Sequence, residues 1–230
     1  MQPTHRTAAL EVDRVVLRYG DRTVLNQVDL RVDTTSSVGI VGRSGSGKSS
    51  LLHAVAGLVG IESGRITVAG HVVDADKPEL SAVLRRETIG LIFQHHGLLS
   101  ELSLLDNIAL PAMLAGRSRS DASSRARSLV KRLAIEHVAD QRPARVSGGE
   151  AQRAAVARAL VNEPSLVLAD EPTGALDERS AGAVLDLLLS IVRDNGGTLV
   201  VVTHDRSVAD RLDRRVAMDQ DGLHERTSTS

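Results

Sequence analysis

An apolar run of strand length, VGIV at 38–41, passes without a break into GRSGSGKS at Gly42–Ser49, and SSLLHAVAG then places apolar residues at helical spacing. A glycine-rich turn between a strand and a helix constrains this chain more than any other feature. Its spacing, G-x-x-x-x-G-K-S, suits a loop whose backbone N–H groups wrap a β-phosphate. Lys48 would neutralise β and γ oxygens, and the Ser49 hydroxyl would bind Mg²⁺. The helix is expected from Lys48 to about Ala56, stopping at Gly57.

Around that turn the texture changes twice. LEVDRVVLRY and TVLNQVDLRV have broken alternation, as antiparallel strands partly open to solvent do. RITVAGHVV at 65–73 reads as a strand pair with a Gly turn, and TIGLIFQ at 88–94 as a buried strand. From His95 to about Arg145 the pattern is helical, with LLDNIALPAML expected to kink near Pro111 and DASSRARSLVKRLAI amphipathic after a cap at Ser120 or Asp121. Strands return at SLVLAD, TLVVVT and RVAMD, with the helix DERSAGAVLDLLLSIVRDNGG among them. Such βαβ alternation implies parallel strands with right-handed crossovers. The expectation is an α/β core with a parallel sheet, an N-terminal antiparallel β subdomain and an inserted helical subdomain, with the tail ERTSTS frayed.

At 230 residues there is room for one such domain. The 28 basic and 29 acidic residues are interspersed and leave a formal charge of −1, which argues against nucleic acid as a partner. Without Cys there is neither a disulfide framework nor a thiolate metal site. The start MQPTHRTAALEVDR lacks the apolar core of a signal peptide, and runs such as LVVVT at 199–203 are too short to span a bilayer. A cytoplasmic protein is expected.

Other stretches carry chemistry. In VSGGEAQR, Ser147, Gly148 and Gly149 leave a helix N-terminus uncovered, with N–H groups and the positive dipole end outward, which is how proteins bind phosphate. SLVLADEP ends a strand in two carboxylates: Asp170 can hold a Mg²⁺ shell, and Glu171, one residue on, can polarise an attacking water. His204, in VVTHD, sits just past another parallel strand, at the edge where α/β ligands bind; a plain hydrogen-bonding role is the alternative. Gln94 stands where the core hands over to the helical insert, or is an ordinary strand-end amide. Tyr19, the one tyrosine, lies at a polar turn between Arg18 and Gly20, where it can stack an adenine or fill a core.

Taken together and in this order, these stretches resemble the ATP-binding subunit of an ABC transporter over nearly the whole chain. By that resemblance Tyr19 looks like the A-loop, Gly42–Ser49 the Walker A loop, Gln94 the Q-loop and Val146–Glu150 the signature. Asp170 and Glu171 look like the Walker B pair, GALD at 174–177 the D-loop with Asp177, and His204 the switch histidine.

The resemblance implies a P-loop NTPase core in a single nucleotide-binding domain, with 1–94 and 161–230 as catalytic core and 95–160 as helical subdomain. It implies ATP and Mg²⁺, with nucleotide contacts from Tyr19, Gly42, Arg43, Ser44, Gly45, Ser46, Gly47, Lys48, Ser49, Ser50 and Asp177. The metal would be held by Ser49, Gln94 and Asp170, and catalysis would fall to Glu171, His204 and Gln94. It also implies a head-to-tail pair of identical chains, the Ser147, Gly148, Gly149 and Glu150 helix end of one capping the γ-phosphate held by the other. A separate transmembrane permease completes the assembly at the inner face of the membrane.

Val146, Glu150 and Ser50 stand where Leu, Gln and Thr are common, and TTSS at 34–37 lacks the usual Gly-Glu turn. FQHHGLLSELSLLDNIALPAMLAG and SGGEAQR look most like the branch serving lipoprotein release, macrolide export and cell division. The implied work is export or lipoprotein release, with nucleotide-gated regulation of a membrane partner as the second reading.

Overall fold

The structure, a computed structural model, describes residues 7–174, 176, 178–219 and 222–225. Two long strands, β1 (Ala8–Tyr19) and β2 (Arg22–Asp33), open the chain as an antiparallel pair. The broken alternation has a backbone cause. Buried positions step by three, from Val12 to Val15 and from Leu25 to Val28, and within those steps Arg14 (φ 44°) and Gln27 (φ 47°) take positive φ. The ladder shifts register between Val12 and Val15, so one face stays apolar despite the extra residue.

Next come β3 (Ser37–Val41), α1 (Lys48–Val55) and the hairpin of β4 (Ser63–Val68) and β5 (His71–Val72). Its two-residue turn, Ala69 and Gly70, has positive φ at both positions, as the twist of a tight hairpin requires. The helix α2 (Pro78–Glu87) was not expected. Only Ser81 and Leu84 are buried, so its periodic signal is faint; Pro78 at the start, Glu79 in the first turn and Arg85 and Arg86 in the last were the readable marks.

β6 (Ile89–Ile92) is shorter than the stretch expected at 88–94. α3 (Leu104–Leu114) runs through Pro111 without interruption. α4 (Arg119–Arg132) starts earlier than expected, because its cap is Ser118 rather than Ser120 or Asp121. That register puts Asp121 at the third helical position, where its charge faces the dipole and its N–H reaches the Ser118 hydroxyl.

The chain continues through α5 (Gly148–Leu160), β7 (Leu166–Asp170), α6 (Glu178–Asp194), β8 (Thr198–Thr203), α7 (Arg206–Ala209), β9 (Arg214–Asp219) and β10 (Gly222–Glu225). Beyond Glu225, the tail expected to fray lies outside the described residues.

Two sheets result. One is antiparallel, in the order β2-β1-β4-β5; the other runs β10-β9-β3-β8-β7-β6 and is parallel except for β10. β7 and β8 read as unbroken apolar runs because both faces are covered. Val167, Ala169, Leu199 and Val201 join a core with α3 to α6. Their neighbours Leu168, Val200 and Val202 join a second core with α1 and the antiparallel sheet. The pairings Val41↔Thr203, Asp170↔Val202 and Ile92↔Ala169 bring the carboxyl ends of β3, β8, β7 and β6 level. The site stands on that edge.

Candidate nucleotide site

The head of α1 has no cap of its own. Gly47 (φ 97°) occupies the capping position, no side chain bonds the first turn, and no acid stands there. Its leading N–H groups are left for something else. Small residues are required for reasons of space: a Cβ on Gly42 would meet the Met218 carbonyl oxygen at 2.2 Å, and one on Gly47 the Val24 carbonyl oxygen at 2.8 Å. Lys48 is buried, and its Nζ donates to the carbonyls of Gly42 (2.8 Å) and Arg43 (3.0 Å), arching over the loop. Burial lowers its pKa, while the negative charges of Glu171 and Asp170 oppose that shift. Beneath the loop Ser46 Oγ is buried without a partner among the described residues. A cationic, donor-rich cradle with an orphaned hydroxyl fits an oxyanion.

Across from it, Asp170 ends β7 and Glu171 follows with φ 45°, a strained setting for a side chain of this size. The Glu171 N–H donates to the Val202 carbonyl (2.9 Å), turning the carboxylate toward the end of β8. There Oε2 accepts from Thr203 Oγ1 (2.9 Å), and Oε1 accepts from the His204 N–H (2.8 Å) and lies 2.7 Å from His204 Nδ1. Against an acceptor-only carboxylate, Nδ1 carries the proton and Nε2 remains for another contact. The arrangement can take a proton at Glu171 while His204 contacts a neighbouring oxygen.

A cleft of about 520 Å³ collects most of the expected residues: Tyr19, Ser44, Gly45, Gly47, Lys48, Ser49, Ser50, Gln94, Glu171 and His204. Tyr19 is 52% exposed, so its ring is free to stack. Arg22 and Val24 also line the cleft and were missed; the signal was Arg22 facing Tyr19 across the hairpin. Gly42 and Arg43 line an adjoining cleft that shares His204. Asp170 acts on Lys48 through charge, and Asp177 lies outside the described residues. Among the described residues no group of three or more His, Cys, Asp or Glu could hold a metal alone. Oxygen donors from Ser49, Gln94 and Asp170 suit a hard cation that shares its shell with phosphate.

Ser147, Gly148, Gly149 and Glu150 do not line this cleft. The head of α5, expected to be uncovered, is covered in part: it closes a capping box that satisfies the Glu150 N–H but not those of Gly148 and Gly149. The Glu150 N–H donates to Ser147 Oγ (3.3 Å), while Glu150 Oε2 accepts from the Ser147 N–H (2.8 Å) and hydroxyl (2.7 Å). Glu150 Oε1 lies 2.8 Å from His137 Nε2. Hydrogen bonds from Ser147, chiefly, hold the Glu150 carboxyl below its usual pKa. Two contacts missed by sequence tie α5 to the cleft's ends. Buried Gln152 Nε2 donates to the Pro172 carbonyl (2.8 Å), next to Glu171, and Arg158 donates to the carbonyls of His96 (2.8 Å) and Gly97 (2.6 Å), just past Gln94. A polar Gln152 among the buried alanines of α5 was the available signal.

Comparison with known proteins agrees with this geometry. Residues 25–174 match the family model described as ABC transporter. The lipoprotein-releasing system ATP-binding protein LolD of Xanthomonas oryzae pv. oryzae (strain MAFF 311018) is 41% identical over 227 residues, 97% of this chain and 93% of that protein. Its namesake in Shewanella sp. (strain MR-7) is 44% identical over 213 residues, 91% of this chain and 92% of that protein. Among solved structures, a dimeric post-hydrolysis state of the ATP-binding cassette MJ0796 bound to ADP and Pi superposes with a TM-score of 0.86 at 30% identity, covering 96% of this chain and 100% of that one.

Proposed function

The chain belongs to the ABC transporter family as an ATP-binding, ATP-hydrolysing subunit, and from that premise we propose how its residues divide the work. Backbone N–H groups of Gly42–Ser49, with Ser50 beside them, cradle the phosphates, Lys48 neutralises the β and γ oxygens, and Tyr19 stacks the adenine. Ser49, Gln94 and Asp170 hold Mg²⁺, which supplies charge neutralisation on the phosphates when bound. Glu171 accepts the proton of a water attacking the γ-phosphorus, the bond to the ADP oxygen breaks, and His204 Nε2 contacts the departing phosphoryl group. The carrying observation is that Lys48, Ser49, Gln94 and the Glu171–His204 pair face one cleft at the strand ends.

We read residues 1–230 as one nucleotide-binding domain, with 95–160 as its helical subdomain. Since Ser147–Glu150 lie outside that cleft, the α5 end of a second copy closes over the γ-phosphate, making a C₂ pair around two ATP, and Asp177 faces the same interface. The dimeric state of MJ0796 supports this reading. Among the described residues no helix is long and apolar enough to cross a membrane, so coupling to a separate membrane subunit at the inner face is proposed. The work is of the lipoprotein-release kind, on the strength of the LolD relatives. Glu171→Gln tests the core of the proposal: turnover should fall by roughly 10²- to 10⁴-fold with ATP binding intact and an ATP-bound dimer accumulating. Turnover within a few-fold of the original protein would remove Glu171 from the role of base.

A further inference from the structure

The head of α5 holds an acid where an incoming phosphate is expected. Glu150 Oε2 already takes the N–H and hydroxyl of Ser147, two donors that a γ-phosphate would use. The N–H groups of Gly148 and Gly149 have no acceptor among the described residues, and Gly148 faces open space. A negative carboxylate free to turn over those two groups would act as a built-in competitor for the phosphate, favoured by the same helix dipole. Ser147 tethers one oxygen of that carboxylate, and the other oxygen has its own holder. Oε1 is engaged by His137 Nε2 at 2.8 Å, from the 3₁₀ turn Glu136–Val138 rather than from α5 itself. Since an ionised carboxylate only accepts, Nε2 is the donor.

We infer that His137 is a positioning residue: by binding Glu150 Oε1 it holds the carboxylate to the side of α5 and leaves the Gly148 and Gly149 N–H groups open to the γ-phosphate of ATP on a second copy. This rests on the proposed shared site. His137 touches no nucleotide; it acts through Glu150. The carboxyl of Glu150 is held below its usual pKa chiefly by the Ser147 hydrogen bonds, with His137 as a smaller contributor.

The test is a cycle of variants in the Glu171→Gln background, reading the ATP concentration for half-maximal dimer by light scattering. His137→Ala should raise that concentration roughly 3- to 10-fold, the size of one ordinary hydrogen bond, since His137 is exposed and solvent weakens its contact with the charge. His137→Gln, which keeps a donor, should recover most of it. With Glu150→Gln also present the competing charge is gone, and His137→Ala should shift the midpoint by less than about two-fold. A merely structural role for His137 would give equal shifts with Glu150 and with Gln at that position. That result, or no shift from His137→Ala with Glu150 present, overturns the inference alone. A Ser147→Arg protein that still dimerises with ATP overturns the shared site and this inference together.

Discussion

The heads of α1 and α5 look alike in sequence and are finished in opposite ways. Both carry small residues at the start, SGSG before Lys48 and SGG before Glu150, and both offer N–H groups at the positive end of a dipole. Yet α1 begins with a cation and has no cap or acid, whereas α5 carries a complete capping box with Glu150 at its third position. The first head leaves its donors to partners from outside, and the lysine beside them favours an anion. The second satisfies part of itself and keeps Gly148 and Gly149 in reserve. In the proposed shared site, a bare head with a lysine over it binds and holds, and a self-capped head with two open glycines engages only what is delivered to it. That difference is what a site divided between two copies needs.

Breaking each head in a separate chain gives the largest effect. Lys48→Ala should cripple the holding head and Ser147→Arg should block the closing one, so each variant alone should lack ATP-dependent dimer formation and turnover. In a mixed pair one site carries both lesions and the other carries neither. Mixing should therefore restore dimers, and phosphate release if one sound site suffices, with a maximum near equal proportions. A flat line at background in both assays, with both proteins folded, would mean that each chain closes its own site, and the contrast between the heads would lose its meaning.

The glycines sharpen the contrast. Gly47 has φ 97° and its missing Cβ would strike the Val24 carbonyl, so Gly47→Ala should lower stability by about 1–3 kcal/mol and abolish ATP binding. A chain of this length would then melt several degrees lower, at roughly 2–4 °C per kcal/mol. A Cβ on Gly148 meets nothing within 4 Å, so Gly148→Ala should leave the melting temperature nearly unchanged. It should nevertheless weaken ATP-dependent dimerisation, because in the proposed shared site the space it fills is where the other copy's phosphate arrives. Equal losses of stability in both variants would show that the glycines serve their own backbones.

This also marks where sequence was legible. The loop at Gly42–Ser49, the acidic end of β7 and His204 past β8 were readable because each is a local pattern on a strand whose apolar run is unmistakable. The resemblance located Ser147–Glu150 but not its finish, since VSGGE read as an open head ignores that Ser-x-x-Glu is itself a cap. The same grammar decides the start of α4, where Ser118, Ser120 and Asp121 all qualify and only Ser118 puts an acid at the third position. Contacts across distant segments stayed hidden. Arg85 donates to the carbonyls of Ala56 (3.0 Å) and Gly57 (3.1 Å), closing the tail of α1 from the unforeseen α2, and Gln152 and Arg158 bind loops far away in sequence. Such pairs obey tertiary proximity, for which a single chain carries no periodic sign.

The smallest effect concerns the cap itself. Ser147→Ala removes the hydroxyl that accepts the Glu150 N–H and donates to its carboxylate, at a cost near 1 kcal/mol at neutral pH, or about 2–4 °C of melting temperature. The pH dependence separates this from a packing loss. The Glu150 carboxyl titrates lower in the folded protein than in the unfolded chain, with the Ser147 hydrogen bond as the largest cause. A depressed carboxyl pKa contributes stability that is present above its unfolded value of about 4.3 and is lost as pH falls through the lower folded value. The original protein should therefore lose this increment on acidification below about pH 4.3, and the variant, already without its main cause, should lose less. Asp74, Glu101 and Asp205 are depressed as well, each led by its own hydrogen bond, so both proteins will weaken in acid and only the difference between their curves reports on Glu150. Denaturation midpoints measured from pH 7 to pH 3 should converge toward the acid end. Parallel curves would mean that the cap stabilises α5 without charge, and that the acid at its third position is no rival to an incoming phosphate.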